Sequence, residues 1–175
     1  SAVTDLALHM AEGIDCWSLG IGMPGSLAPG SGLVQVSNTE ELEGRPVKSD
    51  LEALIGREVR IANDADCLAV SEARDGAGQG KGVVFAAILG TGVGAGLVVD
   101  GRLIVGPNRL TGEWGQNPIP GPMDDYERSV SRHCGRVGAI EALLSGPGLS
   151  ASHRARAGEA FSPEQILSSY REGCP

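Results

Sequence analysis

The feature that most constrains the fold of this chain is an apolar run that leads directly into a glycine-rich segment. The run Val83–Leu89 contains only aliphatic residues, alanine and one phenylalanine, and residues 90–96 then carry four glycines. A continuous apolar run of this length predicts a buried central strand of a sheet. After it, residues 95–99 predict a second strand, and Asp100-Gly101 is typical of the two-residue turn of a hairpin. The turn predicts that a third strand follows over residues 103–105.

The remainder of the chain alternates between predicted strands and helices. Short strands are predicted over residues 16–21, 33–36 and 58–62. Helices are predicted over residues 49–56, 64–74, 137–144 and 163–169, and residues 6–12 read as the end of another helix. This alternation predicts an α/β domain with a mixed sheet. The helix-like start and the abrupt end lead us to expect that both ends of a larger protein are missing.

Composition and charge exclude several functional classes. The net charge is −8, from 22 acidic and 14 basic residues, whereas binding to nucleic acid or to an anionic membrane needs a clustered positive field. The longest apolar stretch is far shorter than the roughly 20 residues that span a bilayer, and residues 1–10 lack the pattern of a signal peptide. Four cysteines leave disulfide pairing open, but they form no C-x-x-C pair. We therefore expect a cytoplasmic protein without a nucleic-acid or membrane partner.

The glycine-rich segment favours contact with a phosphate group. Glycine lets backbone N–H groups approach an anion closely, and consecutive N–H groups can surround it. Gly90, Gly92 and Ala95 also fit the G-x-G-x-x-A pattern of dinucleotide-binding proteins, but that pattern opens a helix, and here it leads into a predicted strand. Gly80-Lys81 is followed by glycine instead of Ser or Thr, so a P-loop is absent. A glycine-rich bend of the sheet that binds nothing is the alternative.

A second candidate is the sequence Ala-Asn-Asp-Ala-Asp at residues 62–66, where a predicted strand meets a predicted helix. Asp64 is well placed there to accept a proton from a substrate hydroxyl, and the helix N-terminus favours its charged form. Asn63 offers both a donor and an acceptor to neighbouring hydroxyls. The alternative is that the aspartate only caps the helix.

A third candidate is the glycine loop at residues 111–117, which reads Thr-Gly-Glu-Trp-Gly-Gln-Asn. Its acidic and amide groups, together with Glu141 on a later helix, suit a polyhydroxylated ligand because each hydroxyl needs a fixed hydrogen-bond partner. A solvated turn is the alternative. Trp17 and Phe85 are predicted to lie in the core. Cys67 is predicted to be a small buried residue and not a nucleophile, since no His is near it in sequence to activate it.

Four segments of the chain, taken together, resemble one known family. They read REVRIANDADCLAVSEA, ILGTGVGAGLVVDGR, TGEWGQNPIP and CGRVGAIEALLSGPG, and they occur in the family's order and spacing. The chain resembles the ROK family of sugar kinases, repressors and related proteins, and most closely its bacterial fructokinase branch. The resemblance extends from about residue 6 to about residue 170.

The resemblance implies an α/β fold of the ribonuclease H-like type, with two lobes as in actin, Hsp70 and hexokinase. Residues 1–62 would be the remainder of the small N-terminal lobe and residues 63–175 part of the large C-terminal lobe, with the cleft at their junction. It implies ATP-dependent phosphorylation of a hexose hydroxyl, most closely that of fructose to fructose 6-phosphate, with Mg²⁺ bound together with ATP. It also implies a homodimer.

The resemblance further implies roles for individual residues. Asp64 would be the general base that takes the proton of the attacking sugar hydroxyl. Gly90, Thr91 and Gly92 would face the nucleotide phosphates, and the loop Met23-Pro24-Gly25 would lie near the sugar. The residues that would contact the sugar are Gly25, Asn38, Asn63, Glu113, Gln116 and Glu141.

The chain departs from the family's pattern in three respects. The N-terminal phosphate loop of the Asp-Gly-Gly-Thr type and the C-terminal part with the remaining nucleotide contacts are both absent, so we expect the chain as given to be an incomplete kinase. Many members bind a structural zinc, but the corresponding positions here retain one ligand of four: Gln116, Arg132, Cys134 and Ala139. His133 would add only a second ligand, and a tetrahedral site needs four, so we predict no zinc. Gln116 also replaces a histidine of the family's sugar pocket, which leaves the sugar preference open.

Other members of the family suggest three alternatives. One is a kinase for N-acetylglucosamine or glucose. Another is a sugar-responsive transcriptional regulator without kinase activity, which would carry a helix-turn-helix segment upstream and usually keeps the zinc cluster. The third is a sugar-binding relative that has lost catalysis, in line with the lost zinc ligands. Retention of Asp64 and of the glycine-rich segment at residues 90–96 favours the kinase.

Overall fold

The computed structural model describes residues 2–37, 39–122, 124–131 and 137–173. The strands are β1 (Leu19–Met23), β2 (Ser26–Leu27), β3 (Val34–Gln35), β4 (Val59–Asn63), β5 (Val83–Leu89), β6 (Val93–Val99) and β7 (Arg102–Leu103). The helices are α1 (Ala2–Met10), α2 (Val47–Ile55), α3 (Asp64–Arg74), α4 (Asp125–Ser129), α5 (Glu141–Leu144), α6 (Gly146–Ala157) and α7 (Pro163–Arg171), with a 3₁₀-helix at Trp114–Gln116. None of the helices in these ranges is long and apolar enough to cross a bilayer.

The chain divides into two compact units. The first contains Ser1–Val84 and Gly96–Thr111, and the second contains Phe85–Ala95 and Gly112–Pro175. The predicted lobe boundary between residues 62 and 63 refers to the two lobes of the longer fold and stays a prediction.

The first unit is built around a parallel pair of strands. β1 and β4 pair in register from Leu19 opposite Val59 to Met23 opposite Asn63. Val59 is fully buried against α2, and Trp17 is partly buried against the same cluster. Because the two strands are parallel, their carboxyl ends lie at the same edge, which is where ligands bind in many α/β sheets. The loop after β1 and the start of α3 after β4 are therefore neighbours.

An antiparallel hairpin follows the loop after β1 and adds a second apolar cluster to the first unit. β2 and β3 pair Ser26 with Gln35 and Leu27 with Val34. Met23, Leu27 and Val34 form a buried cluster. The strand predicted over residues 33–36 is thus present, but it is only two residues long.

Helix α3 has the bounds that the sequence predicts, residues 64–74. It begins at this point because the Asn63 side chain accepts hydrogen bonds from the N–H groups of Ala65 and Asp66. Its buried positions are alanines, Ala65 and Ala69. A Cβ at Gly96 would lie 2.5 Å from the Cβ of Ala69. Only glycine therefore lets strand β6 approach α3 this closely.

The strands β5, β6 and β7 form one sheet in that order. Asp100 and Gly101 have φ values of 47° and 74°, which confirms the predicted hairpin turn between β6 and β7. The prediction that β5 is a buried central strand is wrong, and so is the prediction that Phe85 lies in the core. Among the strands of the described residues, β5 pairs with β6 alone and so lies at the edge of its sheet, and Phe85 is 53% exposed. An edge strand has a neighbour on one side only, and every second residue of β5 is exposed.

The strands of the described residues form three separate sheets instead of one mixed sheet. β1 and β4 are parallel, whereas the pairs β2–β3 and β6–β7 are antiparallel. The expectation of an α/β domain is confirmed, but parallel and antiparallel pairs occur in different sheets.

The second unit is mainly helical after the glycine loop. Helix α5 has only four residues, in place of the helix predicted over residues 137–144, and α6 is not among the predicted helices. The sequence Gly-Pro-Gly at the start of α6 reads as a turn. The helix forms because the Ser145 Oγ accepts a hydrogen bond from the Gly148 N–H at 3.1 Å. Helix α7 begins at Pro163, as predicted, behind a capping box formed by Ser162 and Gln165.

Candidate functional site

The carboxyl edge of the parallel pair holds the predicted sugar loop beside the predicted base. Asn63, the last residue of β4, donates a hydrogen bond from Nδ2 to the backbone oxygen of Gly25 at 3.1 Å. Gly25 is buried with a φ of 86°, and a Cβ there would lie 2.8 Å from the oxygen of Gln35. Only glycine fits this position. The loop Met23-Pro24-Gly25 is therefore fastened to the start of α3.

Asn63 uses most of its hydrogen-bonding capacity within the protein. Its Oδ1 accepts hydrogen bonds from the N–H of Ala65 at 2.9 Å and the N–H of Asp66 at 3.2 Å. An amide oxygen has two lone pairs, and an amide nitrogen has two N–H donors. Among the contacts of the described residues, this leaves one N–H for a ligand. Asn63 can therefore donate to a sugar hydroxyl but not accept from one, which narrows the prediction that it does both.

Asp64 is exposed at the first position of α3. Its Oδ1 accepts a hydrogen bond from the N–H of Ala65 at 2.9 Å. The residue that caps the helix is Asn63, and Asp64 shares the N–H of Ala65 with it; the role of Asp64 as a base stays a prediction. An exposed carboxylate at this edge can accept a proton from a hydroxyl that reaches it.

Two more titratable side chains lie on the first turn of α3. Burial raises the pKa of the Asp66 carboxyl, and the neighbouring Asp64 carboxylate raises it further. Burial also raises the pKa of the Cys67 thiol, with smaller contributions from Asp66 and Asp64. The prediction that Cys67 is buried is wrong for the residue as a whole, since it is exposed. Its Sγ nevertheless lies close to Gly22 of β1. A Cβ added at Gly22 would be 3.3 Å from this sulfur atom.

In the second unit, the predicted phosphate turn Gly90-Thr91-Gly92 connects β5 to β6. The N–H of Gly90 donates a hydrogen bond to the oxygen of Gly92 at 3.0 Å. Thr91 is exposed, and a Cβ at Gly90 would meet no atom within 4 Å. The outer side of the turn is therefore open, and backbone groups of such a turn can contact an anion.

Two hydrogen bonds from the segment of α5 and α6 hold this turn. The Glu141 carboxylate accepts at Oε2 from the N–H of Val93 at 2.9 Å. The Gly146 N–H donates to the oxygen of Gly90 at 2.7 Å. Glu141, predicted to contact the sugar, thus also fixes the first residue of β6 directly after the turn.

The glycine loop at residues 111–117 lies directly against β6. A Cβ at Gly112 would overlap the backbone oxygen of Ala95, and a Cβ at Gly115 would overlap the backbone oxygen of Val93. The Ala95 N–H also donates to the oxygen of Gly112 at 2.9 Å. Glu113 is therefore held between two glycines that cannot be replaced without moving the loop.

The indole of Trp114 provides a third anchor for this loop. Its Nε1–H donates to the backbone oxygen of Gly94 at 2.9 Å, and its ring packs edge-to-face against Phe85 with centroids 5.7 Å apart. Gln116 closes the 3₁₀-helix and is partly buried. The side chain of Trp114, in the middle of the loop, is therefore held against both β5 and β6.

The sequence profile of the ROK family matches residues 1–175. The chain belongs to the ROK family. It is 40% identical over 163 residues to the N-acetyl-D-glucosamine kinase of Erwinia tasmaniensis, and the match covers 89% of this chain and 53% of that protein. The chain thus spans about half the length of the curated ROK relatives that it matches.

Solved structures of ROK proteins share the fold of this chain. The ROK hexokinase from Thermus thermophilus superposes with a TM-score of 0.81 at 27% identity, over 99% of this chain and 57% of that one. The ROK glucokinase from Streptomyces griseus, solved in complex with glucose and AMPPNP, superposes with a TM-score of 0.73 at 27% identity, over 99% of this chain and 61% of that one. These similarities confirm the predicted hexokinase-like α/β fold.

Two of the four positions that the resemblance marks as zinc ligands lie in the described ranges. Gln116 is partly buried, and Ala139 is 1% exposed; an alanine methyl is not a zinc ligand. No group of three His, Cys, Asp or Glu side chains that could hold a metal occurs among the residues the structure describes. Arg132, Cys134 and the predicted sugar contact Asn38 lie outside the described residues. The absence of zinc and the role of Asn38 therefore stay predictions.

The structure gathers the predicted ROK site residues within each unit. Gly25, Asn63 and Asp64 come together in the first unit, and the phosphate turn meets Glu141 in the second. Sequence reasoning missed Ser145 and Gly146, which connect α5 to α6 beside the turn. The available signal was a serine followed by a proline two residues later, which is typical of a helix start.

Proposed function

We propose that the protein to which this chain belongs transfers the γ-phosphoryl group of ATP to a hydroxyl of a hexose. The observation that carries the proposal is the start of α3, where the exposed Asp64 follows a capping Asn63 that is bonded to Gly25. Membership in the ROK family and similarity to an N-acetyl-D-glucosamine kinase and to a ROK hexokinase support it.

In this proposal Asp64 is the general base. Its carboxylate takes the proton of the sugar hydroxyl as the hydroxyl oxygen bonds to the γ-phosphorus. The bond from that phosphorus to the β-phosphate oxygen breaks, and ADP leaves. Proton transfer to a positioned base contributes about 10²- to 10⁴-fold to a rate. Asn63 donates its remaining N–H to a sugar oxygen. Because the same amide group caps α3, a sugar bound to Asn63 is held in a fixed relation to Asp64.

Further sugar contacts are proposed for four other residues. The carboxylates of Glu113 and Glu141 accept hydrogen bonds from hydroxyls, whereas the amides of Gln116 and Asn38 both donate and accept. The glycines on either side of Glu113 and the Val93 N–H on Glu141 limit how far these side chains move. Restricted side chains suit a ligand with several hydroxyls, because less entropy is lost when it binds.

ATP is the second substrate in this proposal, with Mg²⁺ bound to its phosphates. Mg²⁺ neutralises charge on the phosphates while the phosphoryl group is transferred. The turn Gly90-Thr91-Gly92 fits a phosphate because the Thr91 residue is exposed and the space beside Gly90 is open. Its backbone and hydroxyl groups hold the phosphate in position.

Two hexoses are favoured by different observations. The motifs resemble the fructokinase branch, but the curated relatives that are 37–40% identical over 159–163 residues are N-acetyl-D-glucosamine kinases. We therefore favour N-acetylglucosamine as the substrate, and fructose stays a prediction. The homodimer and the cytoplasmic location also stay predictions; light scattering on the purified protein tests the first and cell fractionation the second.

ADP release by the complete gene product that contains this chain tests the proposal. N-acetylglucosamine, fructose and glucose are compared for the parent and for two matched carboxylate-to-amide variants, Asp64→Asn and Asp66→Asn. We expect hexose-dependent turnover in the parent, a kcat at least about 100-fold lower in Asp64→Asn, and most of the activity retained in Asp66→Asn. Hexose binding without turnover in the parent would contradict the kinase and support a non-catalytic relative. Equal losses in the two variants would contradict the role of Asp64.

A further inference from the structure

We propose that the junction of α5 and α6, at Ser145 and Gly146, is a positioning element for the phosphate turn Gly90-Thr91-Gly92. The inference rests on the proposed kinase function, in which this turn faces the phosphates of ATP. Ser145 and Gly146 would not contact a substrate themselves; they would hold the turn that does.

The junction joins two helices within one residue. The backbone N–H of Ser145 ends α5 by donating to the oxygen of Glu141 at 3.1 Å, and its Oγ begins α6 by accepting from the Gly148 N–H at 3.1 Å. Ser145 is 5% exposed. A Cβ at Gly148 would lie 2.5 Å from the oxygen of Ala142, so α6 begins in direct contact with α5. The two helices therefore keep a fixed relation to each other.

The junction bonds to the chain on both sides of the turn. On the side of β5, the Gly146 N–H donates to the oxygen of Gly90 at 2.7 Å. On the side of β6, the Val93 N–H donates to the Glu141 carboxylate at 2.9 Å. Glu141, the first residue of α5, makes the bond to Val93, and Gly146, the first residue of α6, makes the bond to Gly90. N–H groups in the first turn of a helix lack a partner within the helix, which is why Gly146 has a donor to offer the turn.

The two bonds depend on Ser145 in different ways. The bond from Gly146 depends on the direction of the first turn of α6, which the Ser145 hydroxyl holds through the Gly148 N–H. The bond to Glu141 depends on α5, whose last turn is closed by the backbone N–H of Ser145. That N–H is kept when serine is replaced by alanine. Loss of the hydroxyl should therefore loosen the turn at Gly90 and leave Glu141 in place.

The variant Ser145→Ala in the complete gene product tests this difference. We expect KM for ATP to rise by up to about fivefold, the value reached if the whole of the roughly 1 kcal/mol that a serine N-cap contributes is lost from ATP binding. KM for the hexose should not change, because Glu141 keeps its position. Ser145→Thr retains the oxygen acceptor and should restore KM for ATP. If Ser145 only capped α6, its loss would not raise KM for ATP while leaving KM for the hexose unchanged.

Ser162→Ala is the matched control. Ser162 caps α7 in the same unit by accepting from the Gln165 N–H at 3.3 Å, and within the described ranges no hydrogen bond joins α7 to the turn. This variant should lose thermal stability as Ser145→Ala does, but leave both KM values unchanged.

Hydrogen exchange provides a readout that does not depend on activity. Exchange of the peptide that contains residues 90–93 should be faster in Ser145→Ala than in the parent, and unchanged in Ser162→Ala. If both variants lose stability alike and neither alters this exchange or KM for ATP, Ser145 is only a helix cap and the inference is wrong. If the parent protein shows no hexose-dependent ADP release, the kinase function is contradicted instead. The hydrogen-exchange rates would still decide whether the junction of α5 and α6 holds the turn.

A second variant covers the case in which Ser145→Ala does not fold. Ser145→Gly also removes the hydroxyl that accepts from the Gly148 N–H, but glycine is tolerated better than alanine at the N-cap of a helix. It should raise KM for ATP by less than Ser145→Ala is expected to, and increase exchange at residues 90–93. Unchanged values of both would overturn the inference.

Discussion

Gly96 sets the distance between β6 and α3, and we expect Gly96→Ala to displace the proposed base. A Cβ at residue 96 would lie 2.5 Å from the Cβ of Ala69 and 2.6 Å from the backbone oxygen of Ala65. Carbon atoms pack at about 3.5–4.0 Å, and a carbon and an oxygen at about 3.3 Å or more. Strand and helix must therefore separate by roughly 1 Å. A change of rotamer cannot relieve contact with a backbone oxygen, so the backbones of β6 and α3 must move apart, and we expect α3 to take up part of this movement.

The displacement has two measurable consequences. Overpacking of this kind costs about 1–3 kcal/mol of the free energy of unfolding. A misplacement of about 1 Å can lower a rate about 100-fold, and Asp64 directly precedes the displaced Ala65. We therefore expect kcat with the hexose to fall about 100-fold. KM for ATP should change little, because the phosphate turn is bonded to α5 and α6.

Urea denaturation and steady-state kinetics on the complete gene product measure these effects. Gly20→Ala is the matched control, because Gly20 also lies on a strand and a Cβ there would meet no atom within 4 Å. It should leave the free energy of unfolding and kcat near the parent values. A folded Gly96→Ala protein with the kcat of the parent would refute the reasoning. Lower stability with unchanged kcat would mean that the position of α3 does not govern the base.

Three further predictions concern the first turn of α3. Asn63→Ala removes the acceptor of two N–H groups and the donor to Gly25, so urea denaturation should show that the free energy of unfolding falls by about 1–2 kcal/mol. Asn63→Ser can still cap the helix and should lower the free energy of unfolding by less. Equal losses in the two variants would argue against capping. Because the pKa of Asp66 is raised, the folded state holds this proton more tightly than the unfolded state, and stability falls as pH rises from 3.8 through the raised value. Asp66→Asn should therefore gain more stability relative to the parent at neutral pH than below pH 3.8, and a pH-independent difference in urea midpoint would contradict this. Mass spectrometry should show that iodoacetamide alkylates Cys67 faster in Asp66→Asn than in the parent, because loss of the carboxylate lowers the pKa of the thiol; an unchanged rate would count against that coupling.

Sequence reasoning was sufficient where neighbours along the chain decide the structure. The bounds of α3 were predictable because its cap, Asn63, bonds to N–H groups two and three residues further on. The hairpin turn was predictable because Asp100 and Gly101 themselves adopt the positive φ values that the turn requires. The four segments that resemble the ROK family are likewise continuous stretches of sequence, and the family match over residues 1–175 confirms the resemblance.

Sequence reasoning was wrong where contacts between distant residues decide the structure. An apolar run such as β5 indicates a strand, but its place at the centre or at the edge of a sheet depends on which other strands pair with it. Helix α6 was missed because Gly148 looked like part of a turn. Residue 148 must instead be glycine because a Cβ there would lie only 2.5 Å from the backbone oxygen of Ala142.

The sequence by itself determined the family, the α/β fold class and the identity of the polar side chains at the candidate site. Only the tertiary structure decided what those side chains bond to. Asn63 bonds to Gly25, 38 positions away, and Glu141 bonds to Val93, 48 positions away. Among the contacts of the described residues, Asn63 therefore keeps a single N–H for a ligand, and Glu141 fixes the residue after the phosphate turn. A hydrogen bond depends on a distance near 3 Å and on direction, and spacing along the chain encodes neither.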